Sequence, residues 1–458
     1  MKPSWTRRMF VKRSSAGLAG AALASAATTG LCADTPNKAR MLAVQGGTPV
    51  RSKPYPATWP IFDENEEKAL LKVLRSRNWC CLNGNEVYDF EKVFAKAMGA
   101  PYCVLANCGT SALHTSLSVL GVGPGDEVIT TPRTFIATIN VICNCHALPV
   151  FIDIDPDTSA LNADLIEAAI TEHTKAILPV HVSGYPADIE KIIAIGRKHN
   201  IPVVEDACQS VFAAVNGKKV GTFGITGSIS FQEYKSLVCG EGGAILGSDQ
   251  DFMLRCASFV NNGRDPLRKS TNDFPNPGSN YRMTEFQAAL LAQQFNRFLE
   301  QDEIRQRNGL YLEKQLTQIP GIKHRKVYSP NTRITYFSFV LDYQKERFNN
   351  VPAEKFAEAV RAEGIPVTGR RVSYRGGCHK TRMLQVHLDS RGYQVAFSKA
   401  RLQKYRESLR LPVMDNPAPG DKEVLSFAGR TAFVGSQRDM DDIVEAFAKV
   451  ARNIDKLT

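Results

Sequence analysis

Several features that mark particular protein classes are missing from this sequence of 458 residues. It has no low-complexity tract and no internal repeat, and 43% of its residues are hydrophobic, which excludes disordered and repeat proteins. Its 11 cysteines include no Cys-x-x-Cys pair, and their spacings, such as the adjacent Cys80 and Cys81, do not form a disulfide framework. We therefore predict no metal and predominantly reduced cysteines in the core.

Clusters of positive charge are also missing after residue 33. The formal net charge is +11, but residues 1–33 contain five basic residues and no acidic one, which leaves +6 for the rest. A mildly basic protein without a Lys/Arg block fits anionic small substrates or a solvated surface better than DNA or RNA. We predict no nucleic-acid partner.

The N-terminus has a strong compositional bias. Thr6-Arg7-Arg8-Met9-Phe10-Val11-Lys12 precedes an uncharged, Ala-rich run from Ser14 to Ala33, which is typical of a twin-arginine export signal. The run contains too many Gly, Ser and Thr residues for a membrane span, and Ala24-Ser25-Ala26 or Leu31-Cys32-Ala33 offers a cleavage site. We predict a signal peptide over residues 1–33 and a periplasmic or extracellular protein without other membrane contact. The alternative is a disordered basic arm.

Strands and helices alternate through the middle of the chain. Asp63 is predicted to cap a first amphipathic helix. Short apolar segments then predict strands over Tyr102–Ala106, Glu127–Thr131, Leu148–Ile154, Lys175–Val180 and Pro202–Glu205. Helical periodicity lies between them, over Ser111–Leu120, Asn162–Ile170 and Ile189–His199. This order predicts an α/β domain with a mostly parallel sheet, over residues 34–300.

The pattern changes in the last third of the chain. Helices are predicted near Gln287–Leu299 and Glu303–Leu316, a strand near Thr335–Leu341, and helices near Pro352–Glu363 and Asp439–Asn453. We therefore predict a smaller α+β domain over residues 301–458.

Candidate functional residues follow the strands, because ligands of parallel α/β sheets bind beyond the carboxyl ends of the strands. Gly109, Thr110 and Ser111 would begin a helix, where N–H groups, hydroxyls and the helix dipole can bind a phosphate. The alternative is simple helix capping. Phe135 would lie at the mouth of the same crevice or in the core.

Two ionisable residues complete the pattern. Asp206 ends the strand Pro202–Glu205, where a carboxylate needs a partner, either a structural arginine or a protonated ring nitrogen of a cofactor. Lys235 lies in a turn between apolar segments, with Ser230 before it and a glycine-rich turn after it. A partly desolvated lysine amine is suited to Schiff-base formation, whereas a lone lysine in a turn is usually a solvated surface residue.

Taken together, these motifs resemble the DegT/StrS-type sugar aminotransferases, which are fold-type I enzymes dependent on pyridoxal 5'-phosphate (PLP). The resemblance covers roughly residues 45–300 well and the C-terminal third loosely. It rests on an ordered series of motifs: Cys108-Gly109-Thr110-Ser111-Ala112-Leu113, Gly123-Pro124-Gly125-Asp126-Glu127-Val128-Ile129, Pro179-Val180-His181, Glu205-Asp206-Ala207, Ser230-Phe231-Gln232, Lys235, Gly240-Glu241-Gly242-Gly243 and Asn280-Tyr281-Arg282-Met283.

The resemblance implies a role for each candidate residue. Lys235 would carry PLP as a Schiff base and then move protons, and Asp206 would bind the pyridine nitrogen. Phe135 would stack on the ring and Gln209 would lie near its phenolic oxygen. The phosphate would be held by Gly109, Thr110, Ser111 and Ser230. Asn280 would reach the phosphate in the neighbouring subunit, which implies a homodimer with shared active sites. His181 is expected to be structural.

The implied reaction moves an amino group from glutamate or glutamine to a keto-sugar or keto-cyclitol. Gln232 and the run Gly46-Gly47-Thr48-Pro49-Val50-Arg51 look most like the scyllo-inosose branch, which uses glutamine. A PLP-dependent sugar dehydratase would lack Lys235. A PLP-fold sugar-binding or regulatory protein without turnover is the alternative from another class. A nicotinamide dehydrogenase is excluded because Gly121-Val122-Gly123-Pro124-Gly125 precedes a strand instead of joining a strand to a helix.

Overall fold

The computed structural model describes residues 35–55, 58–267, 273–371, 377–415 and 423–458. The predicted signal peptide lies outside the described residues. Within them the α-helices are α1 (Thr35–Arg40), α2 (Glu64–Ser76), α3 (Glu86–Met98), α4 (Gly109–Val119), α5 (Ile136–Asn144), α6 (Ile166–Ala169), α7 (Ile189–Lys198), α8 (Gln250–Val260), α9 (Glu285–Leu316), α10 (Ala353–Ala362), α11 (Arg382–Leu388), α12 (Arg391–Ala396), α13 (Lys399–Ser408), α14 (Pro412–Asp415), α15 (Gly429–Ala432) and α16 (Gln437–Arg452).

The strands in the same residues are β1 (Tyr102–Ala106), β2 (Glu127–Thr130), β3 (Leu148–Phe151), β4 (Thr174–Leu178), β5 (Val204–Asp206), β6 (Ala214–Val215), β7 (Lys218–Lys219), β8 (Thr226–Ser230), β9 (Gly243–Gly247), β10 (Ile322–His324), β11 (Thr332–Arg333), β12 (Ser338–Tyr343), β13 (Thr368–Arg371) and β14 (Glu423–Ala428).

The central sheet has the strand order β3-β2-β4-β5-β8-β9-β1, with β4 and β5 joined by parallel bridges such as Ile177 to Val203. Both pairings of β9 are antiparallel, and the other pairings in this sheet are parallel. The five predicted strands are β1 to β5. The prediction of a mostly parallel α/β sheet is therefore confirmed.

Helices cover both faces of this sheet, which is why strands such as β2 are buried along their whole length. On one face, Leu113 and Leu117 of α4 pack in a core with residues of α5 and the central strands. On the other face, Phe94, Ile192 and Phe298 bring α3, α7 and α9 into a second core. Asp63 caps α2 in a capping box with Glu66, as predicted for the first helix.

The prediction of two helices near residues 287–299 and 303–316 is wrong, because α9 is one helix of 32 residues. Thr284 and Gln287 form its capping box, no proline interrupts it, and its one glycine, Gly309, is buried without breaking the helix. The apolar pattern breaks at Asp302 and Arg305, which are buried as an ion pair of 3.4 Å. The predicted boundary near residue 300 falls inside this helix, and the division into domains 34–300 and 301–458 stays a prediction.

The second half of the chain contains an antiparallel sheet in the order β10-β12-β14-β13. The helices α10 and α16 share a core with it, which agrees with the α+β prediction. The segment from Cys378 to Asp415 returns to the central sheet, where the Tyr405 hydroxyl donates to the Pro149 carbonyl at 2.7 Å. In the described part of the chain, ten cysteines carry free thiols, and no helix is long and apolar enough to cross a bilayer.

Candidate active site

A cavity of about 890 Å³ lies at the carboxyl ends of β1, β2, β4, β5 and β8. The turns after these strands contribute most of its lining, as expected for a parallel α/β sheet. Residues of the second half of the chain close it from the other side. Seven of the nine predicted site residues line it: Gly109, Thr110, Phe135, Asp206, Gln209, Ser230 and Lys235.

Lys235 lies in a short loop between β8 and β9. The buried Phe231 anchors this loop, and the Glu233 N–H donates to the Gly240 carbonyl at 2.9 Å. The lysine is half-buried, and burial lowers the pKa of its amine, although Cys208, Asp206 and Glu241 partly oppose this shift. A larger fraction of the Lys235 amine is therefore neutral than in a solvated lysine, as covalent attachment of a carbonyl compound requires.

Asp206 ends β5 and is 5% exposed. One carboxylate oxygen accepts a hydrogen bond from the Thr138 hydroxyl at 2.8 Å, and the other accepts from the Cys208 N–H at 3.1 Å. Among the described residues, no arginine or lysine forms an ion pair with it, so the structural-arginine alternative is not supported. The carboxylate remains able to accept a hydrogen bond from a protonated ring nitrogen in the cavity.

The predicted phosphate cradle is formed by the N-terminus of α4 and by Ser230. Cys108 is the N-cap of α4, so the first helix residues, Gly109 and Thr110, carry N–H groups without a partner inside the helix, and both residues line the cavity. A methyl group on Gly109 would lie 2.8 Å from the Ser230 Cβ, which means that only glycine allows this close approach. Ser111, by contrast, does not line the cavity, because its hydroxyl donates to the Asn107 side chain at 2.6 Å.

Phe135 and Gln209 both line this cavity. Phe135 is 61% exposed, which favours the predicted position at the mouth over a position in the core. The Gln209 Oε1 accepts a hydrogen bond from the Ser183 N–H at 2.8 Å. The NH₂ group of Gln209 is therefore the end that remains free to donate to a ligand.

Two further residues named from the sequence lie away from the cavity lining. His181 is fully buried, accepts the Ala187 N–H at Nδ1 and contacts Glu205 through Nε2 at 3.1 Å, which agrees with the expected structural role. Asn280 is exposed and does not line this cavity. Its role toward a neighbouring subunit stays a prediction.

Sequence reasoning missed the wall that the second half of the chain contributes. Phe337, Thr368, Ser426 and Arg430 line the cavity from this side. Arg430 forms no ion pair with a carboxylate in the described residues, and burial lowers its pKa although Tyr234 and Glu233 partly oppose this shift. Its Nε has no hydrogen-bond partner there, its Nη1 donates to the Tyr234 carbonyl at 3.5 Å, and its guanidinium carbon lies 5.3 Å from the centroid of the Tyr234 ring. No local motif could identify these residues, since they reach the cavity only through the tertiary fold.

Comparison with known proteins agrees with this geometry. The sequence profile of the DegT/DnrJ/EryC1/StrS aminotransferase family matches residues 60–424. The chain belongs to this family. The enzyme is therefore an aminotransferase, and its fold is the fold-type I architecture of PLP-dependent aminotransferases, as the resemblance implied.

Individual relatives match over nearly their whole length. An aminotransferase of Streptoalloteichus tenebrarius, whose proposed substrates are L-glutamine and 3-amino-2,3-dideoxy-scyllo-inosose, is 35% identical over 91% of this chain and 99% of its own. The L-glutamine:2-deoxy-scyllo-inosose aminotransferase of Streptomyces lividus is 32% identical over 92% and 100%. Among solved structures, the aminotransferase from Psychrobacter cryohalolentis matches with a TM-score of 0.73 and 27% identity over 88% of this chain and 100% of its own.

Proposed function

We propose that this aminotransferase binds PLP through Lys235 and moves an amino group from L-glutamine to the keto group of a cyclitol or sugar. The observation that carries this proposal is the meeting of Lys235, Asp206 and the α4 N-terminus in one cavity. The three groups differ in chemistry, and each matches one part of the cofactor.

The described residues fit PLP. The Lys235 amine has a lowered pKa, the Asp206 carboxylate forms no ion pair with an arginine or lysine of the described residues, and Gly109 leaves room between the helix end and Ser230. When bound, PLP supplies an aldehyde and a ring that stabilises negative charge on the substrate carbon. The Gln209 NH₂ group would donate a hydrogen bond to the edge of that ring. The exposed Phe135 ring would stack on its face.

The residues of this chain would divide the work of the reaction among them. The Lys235 Nζ would take the proton from the donor's Cα and deliver it to the former aldehyde carbon of PLP in the same half-reaction. Asp206 would accept a hydrogen bond from the ring N–H and keep that nitrogen protonated, and the Thr138 hydroxyl fixes the carboxylate through a hydrogen bond of 2.8 Å. The α4 N-terminus and Ser230 hold the phosphate and thus orient the ring.

Arg430 supports an amino-acid donor. A half-buried guanidinium without a carboxylate partner in the described residues is suited to the α-carboxylate of an amino acid, which arginine can bind with two hydrogen bonds. Burial lowers the pKa of Arg430, so an anion that replaces its lost hydration would be bound favourably. The relatives named above favour glutamine as the donor and a cyclitol ketone as the acceptor.

The first test is the absorbance spectrum of the protein supplied with PLP, before and after L-glutamine. We expect a visible band that L-glutamine bleaches, and borohydride trapping of PLP on the peptide that contains Lys235. Lys235→Ala should lose both signals, whereas Lys219→Ala should keep them. Lys219 is a matched control, because it is also partly buried with a lowered pKa and lies over an aromatic ring outside this cavity.

The outcomes separate the alternatives. If the wild-type protein shows no visible band, the proposal that PLP binds through Lys235 is wrong. A band that neither L-glutamine nor L-glutamate bleaches would instead favour the binding protein without turnover. Formation of an amino-cyclitol from scyllo-inosose and L-glutamine, followed by mass spectrometry, tests the acceptor class.

Arg430→Gln tests donor recognition. We expect KM for L-glutamine to rise at least about tenfold, because a buried charge pair is lost. L-Glutaminamide, which lacks the α-carboxylate, should react equally well with both proteins. The control Arg438→Gln removes an arginine that is 80% exposed. It should change neither the KM for L-glutamine nor the KM for L-glutaminamide. An unchanged KM for L-glutamine in Arg430→Gln would contradict this role.

The export signal and the homodimer are parts of the same proposal. The twin-arginine motif at Arg7 and Arg8 supports periplasmic or extracellular localisation after folding in the cytoplasm. Cell fractionation should recover the wild-type protein outside the cytoplasm, and replacement of both arginines by lysine should retain it inside. Export of the double variant would contradict the twin-arginine route. Asn280 supports a dimer whose subunits complete each other's sites.

A further inference from the structure

The Lys235 amine lies against an aromatic ring that comes from the second half of the chain. The Nζ atom is 4.9 Å from the centroid of the Phe337 ring, which is within the range of a cation–π interaction. Phe337 is half-buried and lines the cavity just before β12.

An unusual backbone turn presents this ring. Tyr336 has a φ of 50°, which is a rare conformation for a bulky residue, and its side chain is 1% exposed. A Cβ on Gly184 would lie 2.9 Å from the Phe337 N, and one on Gly429 would lie 2.1 Å from the Tyr336 carbonyl oxygen. The Tyr336 hydroxyl also lies 3.2 Å from a Glu313 carboxylate oxygen. Close packing on several sides therefore holds the left-handed turn.

The ring affects the two protonation states of the amine differently. An aromatic face attracts an ammonium group and has little attraction for a neutral amine. Asp206, Cys208 and Glu241 also favour the ammonium form, whereas burial opposes it. Arg430 and Tyr234 line the same cavity. Phe337 thus adds stabilisation without adding a charge that would compete for the cofactor or the substrate.

We propose that Phe337, presented by the left-handed turn at Tyr336, holds the free Lys235 amine at the reacting atoms and stabilises its protonated form. The inference rests on the proposed function, because it concerns the amine that bonds to PLP and carries the proton. The proton taken from the donor's Cα would reside on Nζ until Nζ delivers it to the former aldehyde carbon of PLP, so no other acid or base is consumed. Tyr336 is a positioning residue, since it acts through Phe337.

The test measures how fast the apoenzyme attaches saturating PLP as a function of pH. Attachment requires the neutral amine, so the midpoint of the profile reports the pKa of Lys235. In Phe337→Leu, which keeps the site apolar without a ring, we expect the midpoint to fall by about half a unit to one unit. Phe337→Tyr keeps the ring and should keep the wild-type midpoint.

A wild-type midpoint in Phe337→Leu, with an unchanged melting temperature, would overturn the inference. An equal shift in Phe337→Leu and Phe337→Tyr would also overturn it, because the ring face would then be irrelevant. Tyr336→Phe keeps the buried ring that packs in the turn and should resemble the wild type, whereas Tyr336→Val should shift the midpoint as Phe337→Leu does. If Tyr336→Val does not fold, the two Phe337 variants decide. Attachment of PLP to Lys235→Ala would refute the proposed function itself.

Discussion

Ser111 and Ser230 were both assigned to the phosphate by resemblance, yet their hydroxyl groups have different surroundings. Ser230 lines the cavity beside the α4 N-terminus, and within the described residues its hydroxyl oxygen accepts one hydrogen bond, of 3.3 Å, from the Gln232 N–H. Ser111 is 7% exposed, and its hydroxyl donates to Asn107 within the first turn of α4. Two serines near the same helix end can therefore differ in role, one in ligand binding and the other in stabilising the fold.

This difference gives a prediction for a matched pair of variants. Ser230→Ala should raise the Kd for PLP about tenfold at nearly unchanged stability, because a hydrogen bond to the charged phosphate is lost. Ser111→Ala should leave the Kd nearly unchanged and lower the free energy of unfolding by about 1 kcal/mol. Titration of the apoproteins with PLP and urea unfolding measure the two quantities. If Ser111→Ala raises the Kd for PLP as much as Ser230→Ala does, Ser111 contributes to phosphate binding after all.

At the same scale, sequence alone located Lys235 and Asp206 but not Arg430 or Phe337. Asp206 ends β5 and Lys235 lies in the loop that follows β8, and the carboxyl ends of parallel strands meet at one edge of the sheet. Arg430 and Phe337 lie in segments with no motif of their own, and their approach depends on how the second half folds over the sheet. The φ of Tyr336 is likewise set by its packed surroundings and not by a glycine at that position.

At the scale of elements, the start of α4 depends on its close packing against β8. The Ser230 Cβ and the Cys208 Sγ lie 2.8 Å and 3.0 Å from the position that a Gly109 side chain would occupy. We therefore expect Gly109→Ala to push α4 away from Ser230 and to raise the Kd for PLP by more than tenfold. Gly123→Ala is the control, because a Cβ there would meet nothing within 4 Å. Isothermal titration of PLP into the apoproteins checks this, and an unchanged affinity in Gly109→Ala would show that the cradle can widen freely.

Elements were predictable where one local signal dominates. Buried strands covered by helices on both faces are continuous apolar runs, so β1 to β5 could be located within a few residues. The long helix α9 could not, because the sequence contains a charged pair where an apolar stripe was expected. Asp302 and Arg305 are buried against each other, and Arg333 from outside the helix also pairs with Asp302 at 2.5 Å. The first half of α9 packs in one hydrophobic core and its second half packs in another. Its sequence pattern therefore resembled that of two helices.

At the scale of the whole molecule, apolar side chains remain exposed along α2 and the segment after it. Leu74 is 49% exposed, Trp79 51% and Leu82 46%, and the Trp79 indole N–H donates to the Leu74 carbonyl at 3.2 Å, so Leu74 and Trp79 lie close together. Exposed apolar groups of this kind often mark an interface with another protein. A second copy of the chain would be consistent with the predicted role of Asn280, which lies outside its own cavity lining.

Mixed dimers provide the decisive measurement for this arrangement. If Asn280 completes the partner's site, Lys235→Ala and Asn280→Ala should each be nearly inactive, yet a dimer of one of each contains one intact site. Random reassociation of equal amounts should then restore about a quarter of wild-type activity, since half of the dimers are mixed and each has one working site of two. Sedimentation should report a dimer throughout, and mixing Lys235→Ala with Lys235→Ala,Asn280→Ala should restore nothing. If Asn280 instead acted within its own subunit, the mixed dimer would have no intact site and no activity would return. Recovery near a quarter therefore requires both a dimer and active sites that are shared across its interface.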